Sequence, residues 1–211
     1  MKIPFIRPIS YSVFLISSIA NSAMADFEKG IKAYQANDLA VAYKEFRASA
    51  DEGHVDSQFN VALMFENGIG VEKDEKKALT WYEKSAQQGN AAAQYNLGVL
   101  YENGRGTNVD FSKANKWYRK ASVQGDAFAI GNLGMLYIRG DGVTVNKVVG
   151  VALLLTSVTL DKSPDNFAKR NISMTPGLTP DLVSKAQILS DEMMKVKDLL
   201  EPMDAYLKQM K

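Results

Sequence analysis

The 211-residue sequence contains no cysteine and a single histidine, His54. No disulfide can form, no thiolate nucleophile exists, and no multi-histidine or cysteine-based metal site can be assembled. The chain has no charge excess either: 25 basic and 24 acidic side chains leave a formal +1. That balance argues against a nucleic-acid partner or an anionic membrane surface. A long apolar run is also missing. The best candidate, Ile9–Ala20 (ISYSVFLISSIA), is interrupted by serines and falls short of the ~20 apolar residues that a membrane-spanning helix needs. There is no Ser-x-x-Lys, which removes the nucleophile motif of penicillin-recognising enzymes. No G-x-x-x-x-G-K-[ST] occurs, so phosphate-loop chemistry has no support.

The short apolar run has its own meaning. Lys2 and Arg7 precede it, and Ala23-Met24-Ala25 follow. A basic start, a short apolar core and a small-x-small ending make a secretory signal peptide over residues 1–25, with cleavage expected before Asp26. Residues 26–211 hold 23 basic and 24 acidic side chains, a formal −1. An exported chain without disulfides rests on its apolar core alone, for which this length is ample. The expected location is the periplasm, with no stable membrane insertion after cleavage.

The dominant feature is a 36-residue period. Units start at Gly53, Gly89 and Gly125, and the first two read GHVDSQFNVALMFENGIGVEKDEKKALTWYEKSAQQ and GNAAAQYNLGVLYENGRGTNVDFSKANKWYRKASVQ. Repetition on this scale marks a solenoid of stacked supersecondary units. Within the second unit, Ala93, Leu97, Leu100 and Tyr101 fall on one helical stripe. Asn103-Gly104-Arg105-Gly106 breaks it, and Ala114, Trp117, Tyr118 and Ala121 form a second stripe. The Gly-x-Gly segments (Gly68/Gly70, Gly104/Gly106, Gly140/Gly142) therefore read as turns.

Asp38, Asp74, Asp110 and Asn146 each stand four residues before a small residue: Ala42, Ala78, Ala114 and Gly150. Asp and Asn are preferred N-caps, so four in register predict four helix pairs. The first pair, about Phe27–Ala36 and Leu39–Ala50, has a tight Asn37-Asp38 connection about five residues shorter than the Gly-x-Gly loops. Gly30, Ala62, Gly98 and Gly134 share one position in the first helices. They are expected to face the small column of the second helices. Phe65, Tyr101, Tyr137, Trp81 and Trp117 are expected in the core.

After Gly150 the pattern loosens, with breaks at Asp161–Pro164 and Thr175–Pro180. Leu182, Ala186, Leu189, Met193, Val196 and Leu200 then follow helical spacing, and Pro202 opens a last helix carrying Met203, Tyr206, Leu207 and Met210. The expected organisation is a signal (1–25), helical repeats (26–52, 53–88, 89–124, 125–160) and closing helices (161–211). The fold class is an all-α right-handed solenoid of about four antiparallel helix pairs.

The residues LGVLYENGRG, Lys113-Ala114, Trp117-Tyr118 and Gly125, with their counterparts from Val61 to Gly89, resemble the Sel1-like repeat, a relative of the tetratricopeptide repeat. The third unit departs from that pattern where Val149-Gly150 and Leu153-Leu154 replace Lys-Ala and Trp-Tyr. The resemblance covers about Phe27 to Met194. It implies a partner-binding protein without cofactor. Some bacterial members are immunity proteins against phospholipase effectors delivered to the periplasm, which makes a toxin one expected partner. A cysteine-rich branch linked to β-lactams is a poor match to a chain without cysteine. An adaptor for an envelope machine, or a cell-wall hydrolase, are the competing readings.

In tetratricopeptide-like solenoids the first helices line the concave face. By that analogy the partner-binding candidates are Phe27, Ile31 and Tyr34 in the first pair, and Phe59, Leu63 and Glu66 in the next. Tyr95, Asn96, Val99 and Glu102 follow, then Gly131, Asn132, Met135 and Ile138. Aromatic, aliphatic and methionine side chains suit protein recognition. Packing against the neighbouring repeat is the other use of the same residues. The column Asn60, Asn96, Asn132 fits either a peptide backbone or a helix–helix tie. His54 occupies the slot held by Asn90 and Asp126 and reads as an exposed turn residue. A Ser57–His54 pair is conceivable but has nothing else behind it. No catalytic or metal residue is expected.

Overall fold

The computed structural model describes residues 11–210, with side chains from Ser22 onward. Residues 1–10 of the expected signal lie outside that range. The described residues form helices and loops in antiparallel pairs: α1 (Tyr11–Gln35) with α2 (Leu39–Asp51), α3 (Val55–Asn67) with α4 (Glu75–Gln87), α5 (Ala91–Asn103) with α6 (Phe111–Val123), and α7 (Ala127–Arg139) with α8 (Lys147–Leu160). Three further helices close the chain: α9 (Ala168–Met174), α10 (Pro180–Met193) and α11 (Glu201–Gln209). This is the all-α helix-pair class that the repeat predicts. The chain divides into two compact units, residues 1–85 and 86–211.

The capping column explains where the second helices start. Asp38 accepts from the Val41 N–H at 3.2 Å, Asp74 from Lys77 at 3.0 Å, Asp110 from Lys113 at 2.9 Å and Asn146 from Val149 at 3.0 Å. Each pairs one of the N–H groups that a helix start leaves without an intrahelical partner. The first pair is joined by three residues, 36–38, against seven in the next, 68–74, so the connection is four residues shorter. Asn37 takes a left-handed φ of 59° to make that turn.

The Gly-x-Gly segments are left-handed turns, as expected. Gly142, at φ 67°, also lies against the start of α6, where an added Cβ would stand 2.7 Å from the Phe111 carbonyl carbon. The loop thus anchors one pair on the previous one within the second unit.

The small-residue column behaves differently from the expectation. A Cβ at Gly30 would meet the Phe46 ring at 2.5 Å, and one at Gly98 would meet the Tyr118 ring at 2.5 Å. Of the three glycines, Gly134 is the one that faces the small column, with the Gly150 carbonyl 2.8 Å from its ideal Cβ. At Gly30 and Gly98 the glycine makes room for an aromatic ring, because a flat ring fills the space two small residues would leave empty. Phe65, Trp81, Tyr101, Trp117 and Tyr137 are buried as expected.

In the second unit α8 is buried almost all round: Val151, Ala152, Leu153 and Leu154 have no exposure. It packs against α7, α9 and α10, which is why a run of continuous apolar residues replaces the Trp-Tyr pattern. The loop after it is held by Asn166, whose amide donates to the Ser157 carbonyl at 3.0 Å and the Asp161 carbonyl at 2.8 Å. That loop leads into α9, a seven-residue helix that leaves too short a periodic signal to be read. Helix α10 starts at the Thr179 cap and ends at Met193, so Val196, expected on its apolar face, lies beyond it and is exposed. Pro202 opens α11 as expected, and Arg119 donates to the Asp204 carboxylate at 2.5 Å, fastening α11 back to α6.

Candidate protein-binding face

In the first unit, Phe27, Ile31, Phe59, Leu63 and Glu66 are half-buried and Tyr34 is exposed. Phe27 lies 4.6 Å from the His54 ring and 5.9 Å from Phe46, centroid to centroid. Phe59 lies 5.9 Å from Tyr82. Both rings spend part of their surface on neighbouring helices. Glu66 accepts a hydrogen bond from the Tyr82 hydroxyl at 2.5 Å.

His54 is a helix cap. Its Nδ1 accepts from the Ser57 N–H at 3.2 Å, and the ring is half-buried against Phe27. It is therefore not the exposed turn residue expected from its slot. Nδ1 also stands 2.9 Å from the Ser57 hydroxyl oxygen, so the Ser–His pair exists geometrically. Ser57 is completely buried and donates to Ser49 at 2.7 Å. A nucleophile needs access to its substrate and a base that takes its proton; this hydroxyl is buried and gives its proton to Ser49, while Nδ1 accepts the Ser57 N–H.

The candidates of the second unit divide in two. Tyr95, Asn96, Val99, Glu102, Asn132 and Met135 are all half-buried. Ile138 is 8% exposed, and its Cγ1 sits where a Cβ on Gly150 would go. It packs inward between α7 and α8, and Gly131 is buried too. The concave register thus fails at Ile138, which the largely apolar α8 draws in, whereas Gly131 lines the recess beside Tyr95.

Glu102 accepts from the Tyr118 hydroxyl at 2.7 Å and from Arg139 at 2.6 Å, and Asn132 donates to the same hydroxyl at 3.1 Å. Arg139 also pairs with Asp141 at 2.7 Å. One phenol at the centre ties α5, α6 and α7 together. Burial pushes the Tyr118 phenol far above its ordinary value, and the Glu102 charge beside it adds to the effect. Burial likewise raises Tyr95, helped by Asp126 and Glu102 and opposed by hydrogen bonding from Asn132. Asn132 therefore has the helix-tie role. Glu66 and Glu102 are each bound to a tyrosine of their own helix pair, and neither forms a carboxylate pair of the kind acid–base chemistry requires. Among the described residues no group of acidic or histidine side chains has the geometry to hold a metal ion.

Beside this network lies an aromatic recess. Tyr95 sits 6.1 Å from Phe128 and 6.2 Å from Tyr118. Asn132, Asp165, Phe167 and Asn171, with Gly131, Asn166 and Ala168, line a cavity of about 150 Å³ there. Phe128 is 37% and Phe167 61% exposed. Neither was a sequence candidate. Phe128 stands where the preceding units have Asp56 and Ala92, and a phenylalanine in a slot otherwise small or polar was the available signal. Phe167 lies in the loop after α8, outside the repeat, where no periodicity could point to it.

The profile of the Sel1 repeat matches residues 55–90, 91–126 and 127–160. The chain belongs to the Sel1 repeat family. The matched units keep the 36-residue period and begin two residues later than the glycine-based boundaries; the α1–α2 pair precedes them. A Sel1 repeat protein from Oxalobacter formigenes is similar over 79% of this chain and 70% of its own, with 30% identity and a TM-score of 0.64. A protective antigen present in uropathogenic Escherichia coli strains, displaying an SLR fold, is similar over 94% of this chain at 28% identity and a TM-score of 0.51. The chain spans about half the length of that second structure. No curated protein matches. Sel1 repeats imply a role in binding other proteins, and no described helix is long and apolar enough to cross a membrane.

Proposed function

We propose that this Sel1 repeat protein is exported to the periplasm and binds a protein partner through the first-helix face of its second unit. The recess of Tyr95, Phe128 and Phe167 carries the reading. Two aromatic rings on helices α5 and α7 and a third on the loop before α9 are presented at one place, rimmed by Asn132, Asp165 and Asn171. Exposed aromatics beside fixed polar groups are the usual composition of an energetic hot spot. Glu102, the candidate acid nearby, is engaged in the tyrosine network, which favours binding over hydrolysis.

In its narrowest form the partner is a toxin acting in the periplasm, such as a secreted phospholipase, which the protein neutralises by covering its active site. Small size, a leader-like N-terminus and a binding face without catalytic groups support this form. An adaptor of an envelope machine would use the same face. Affinity capture of the full chain from the envelope fraction separates the two: one soluble effector supports neutralisation, and a set of machine components supports the adaptor. Cells lacking the gene should lose viability beside toxin-producing siblings; unchanged survival would end the toxin version.

A further inference from the structure

The first helices of the three matched repeats are each 13 residues long: Val55–Asn67, Ala91–Asn103 and Ala127–Arg139. Each is preceded by a capping side chain, His54, Asn90 or Asp126, which accepts an N–H three residues on. Helix α1 ends at Gln35, the position corresponding to Asn67, Asn103 and Arg139. Counting 13 residues back places the start of the first repeat's own helix at Ala23, with Ser22 in the capping slot.

Buried hydrogen bonds report the same register independently. Ser85 donates to the carbonyl of Val55 at 2.9 Å, and Ser157 to the carbonyl of Ala127 at 2.7 Å. In both cases a serine near the end of the second helix holds the first residue of the first helix. Ser49 donates to the Ala23 carbonyl at 2.6 Å. Ala23 is itself 4% exposed, and Ser49, which also accepts from Ser57, is fully buried. Ala23 is thus the first residue of the fold, matching Val55 and Ala127.

Cleavage before Asp26 would remove that residue. The fold would lose a helical turn, and the buried Ser49 hydroxyl would lose its acceptor, which is the costly way to break a hydrogen bond. The sequence offers a second site. Ser18-Ile19-Ala20 is also small-x-small, and it leaves Ile9–Ile16 as an eight-residue apolar core, within the length such leaders use. We propose that the leader is cut between Ala20 and Asn21. The product begins at Asn21, retains the Ala23 carbonyl, and places Ser22 where a serine N-cap is favoured. The leader and the first repeat share one continuous helix in the precursor, so processing creates the helix start that the other repeats encode with His, Asn or Asp.

This inference rests on the export reading, and one experiment separates the two. The full chain with its own leader is produced in a Gram-negative host, and the envelope-fraction protein is analysed by intact mass and N-terminal sequencing. A start at Asn21 is expected. A start at Asp26 would overturn the cleavage site while leaving export standing, and uncut precursor would overturn both. In full-length variants, Ala25→Tyr should leave the Asn21 start unchanged, and Ala20→Tyr should abolish it. Loss of processing in Ala25→Tyr would contradict the assignment.

Discussion

Asp126 and Asn90 fill the same capping slot one repeat apart, but they pay differently for the site. Burial raises the Asp126 carboxyl above its ordinary value, and the Ala129 and Phe128 N–H groups only partly offset this. A raised acid binds its proton more tightly when folded, so its contribution is fully present below the unfolded value near ~3.9 and is lost as pH rises through the folded value. Asp126→Asn should therefore flatten that fall in stability between mildly acidic and neutral pH, and keep the cap as Asn90 does. Denaturant melts at a series of pH values check it; a variant that is less stable at neutral pH would contradict it. Tyr118 offers a second residue-scale test. Tyr118→Phe removes one donor to Glu102 and the acceptor of Asn132. A loss of about 1–3 kcal/mol is expected, because Glu102 and Asn132 stay behind without that partner. Arg139 still reaches Glu102, but that pair is partly exposed and contributes little.

Two elements show how far local rules carry. The cap of α6 is local: Asp110→Ala should cost about 1 kcal/mol in chemical denaturation, because a helix N–H loses its acceptor. Gly98 in α5 is a case where local propensity gives the wrong sign. Alanine is the better helix former by about 1 kcal/mol, yet the Cβ would stand 2.5 Å from a buried ring that is hydrogen-bonded on two sides and cannot move aside. Gly98→Ala should destabilise by about 1–3 kcal/mol, in the range of overpacked cores. The same contrast explains what the sequence revealed. Caps, turns and the 36-residue period are spacing signals, so Asp38, Asp74, Asp110, Asn146 and the four helix pairs were legible. What each glycine faces depends on the ring that crosses to meet it, and no spacing states that Phe46 lies over Gly30 while Gly150 lies over Gly134. Ile138 was misplaced for a similar reason, since α8 draws it inward. Phe128 and Phe167 were missed because one breaks its column and the other lies beyond the repeat.

For the whole molecule, the tyrosine network predicts a cooperative alkaline limit. Tyr95, Tyr118 and Tyr137 are all pushed up by burial. Each is an acid whose unfolded form ionises first, so stability is intact below the unfolded value near ~10 and falls as pH rises above it. Phenolate absorbance should show these three tyrosines titrating together with loss of the helical circular-dichroism signal. Titration of these three before the helical signal falls would contradict their burial.

The central claim is that the Tyr95–Phe128 face, and not a reactive site, is what the second unit presents. It is tested most directly by measuring the dissociation constant of the captured partner for wild type, Tyr95→Ala and Val99→Asp, with circular dichroism on each. The account predicts weakening of tenfold or more, about 1.4 kcal/mol, with unchanged helical signal. Equal affinity in folded variants would contradict it.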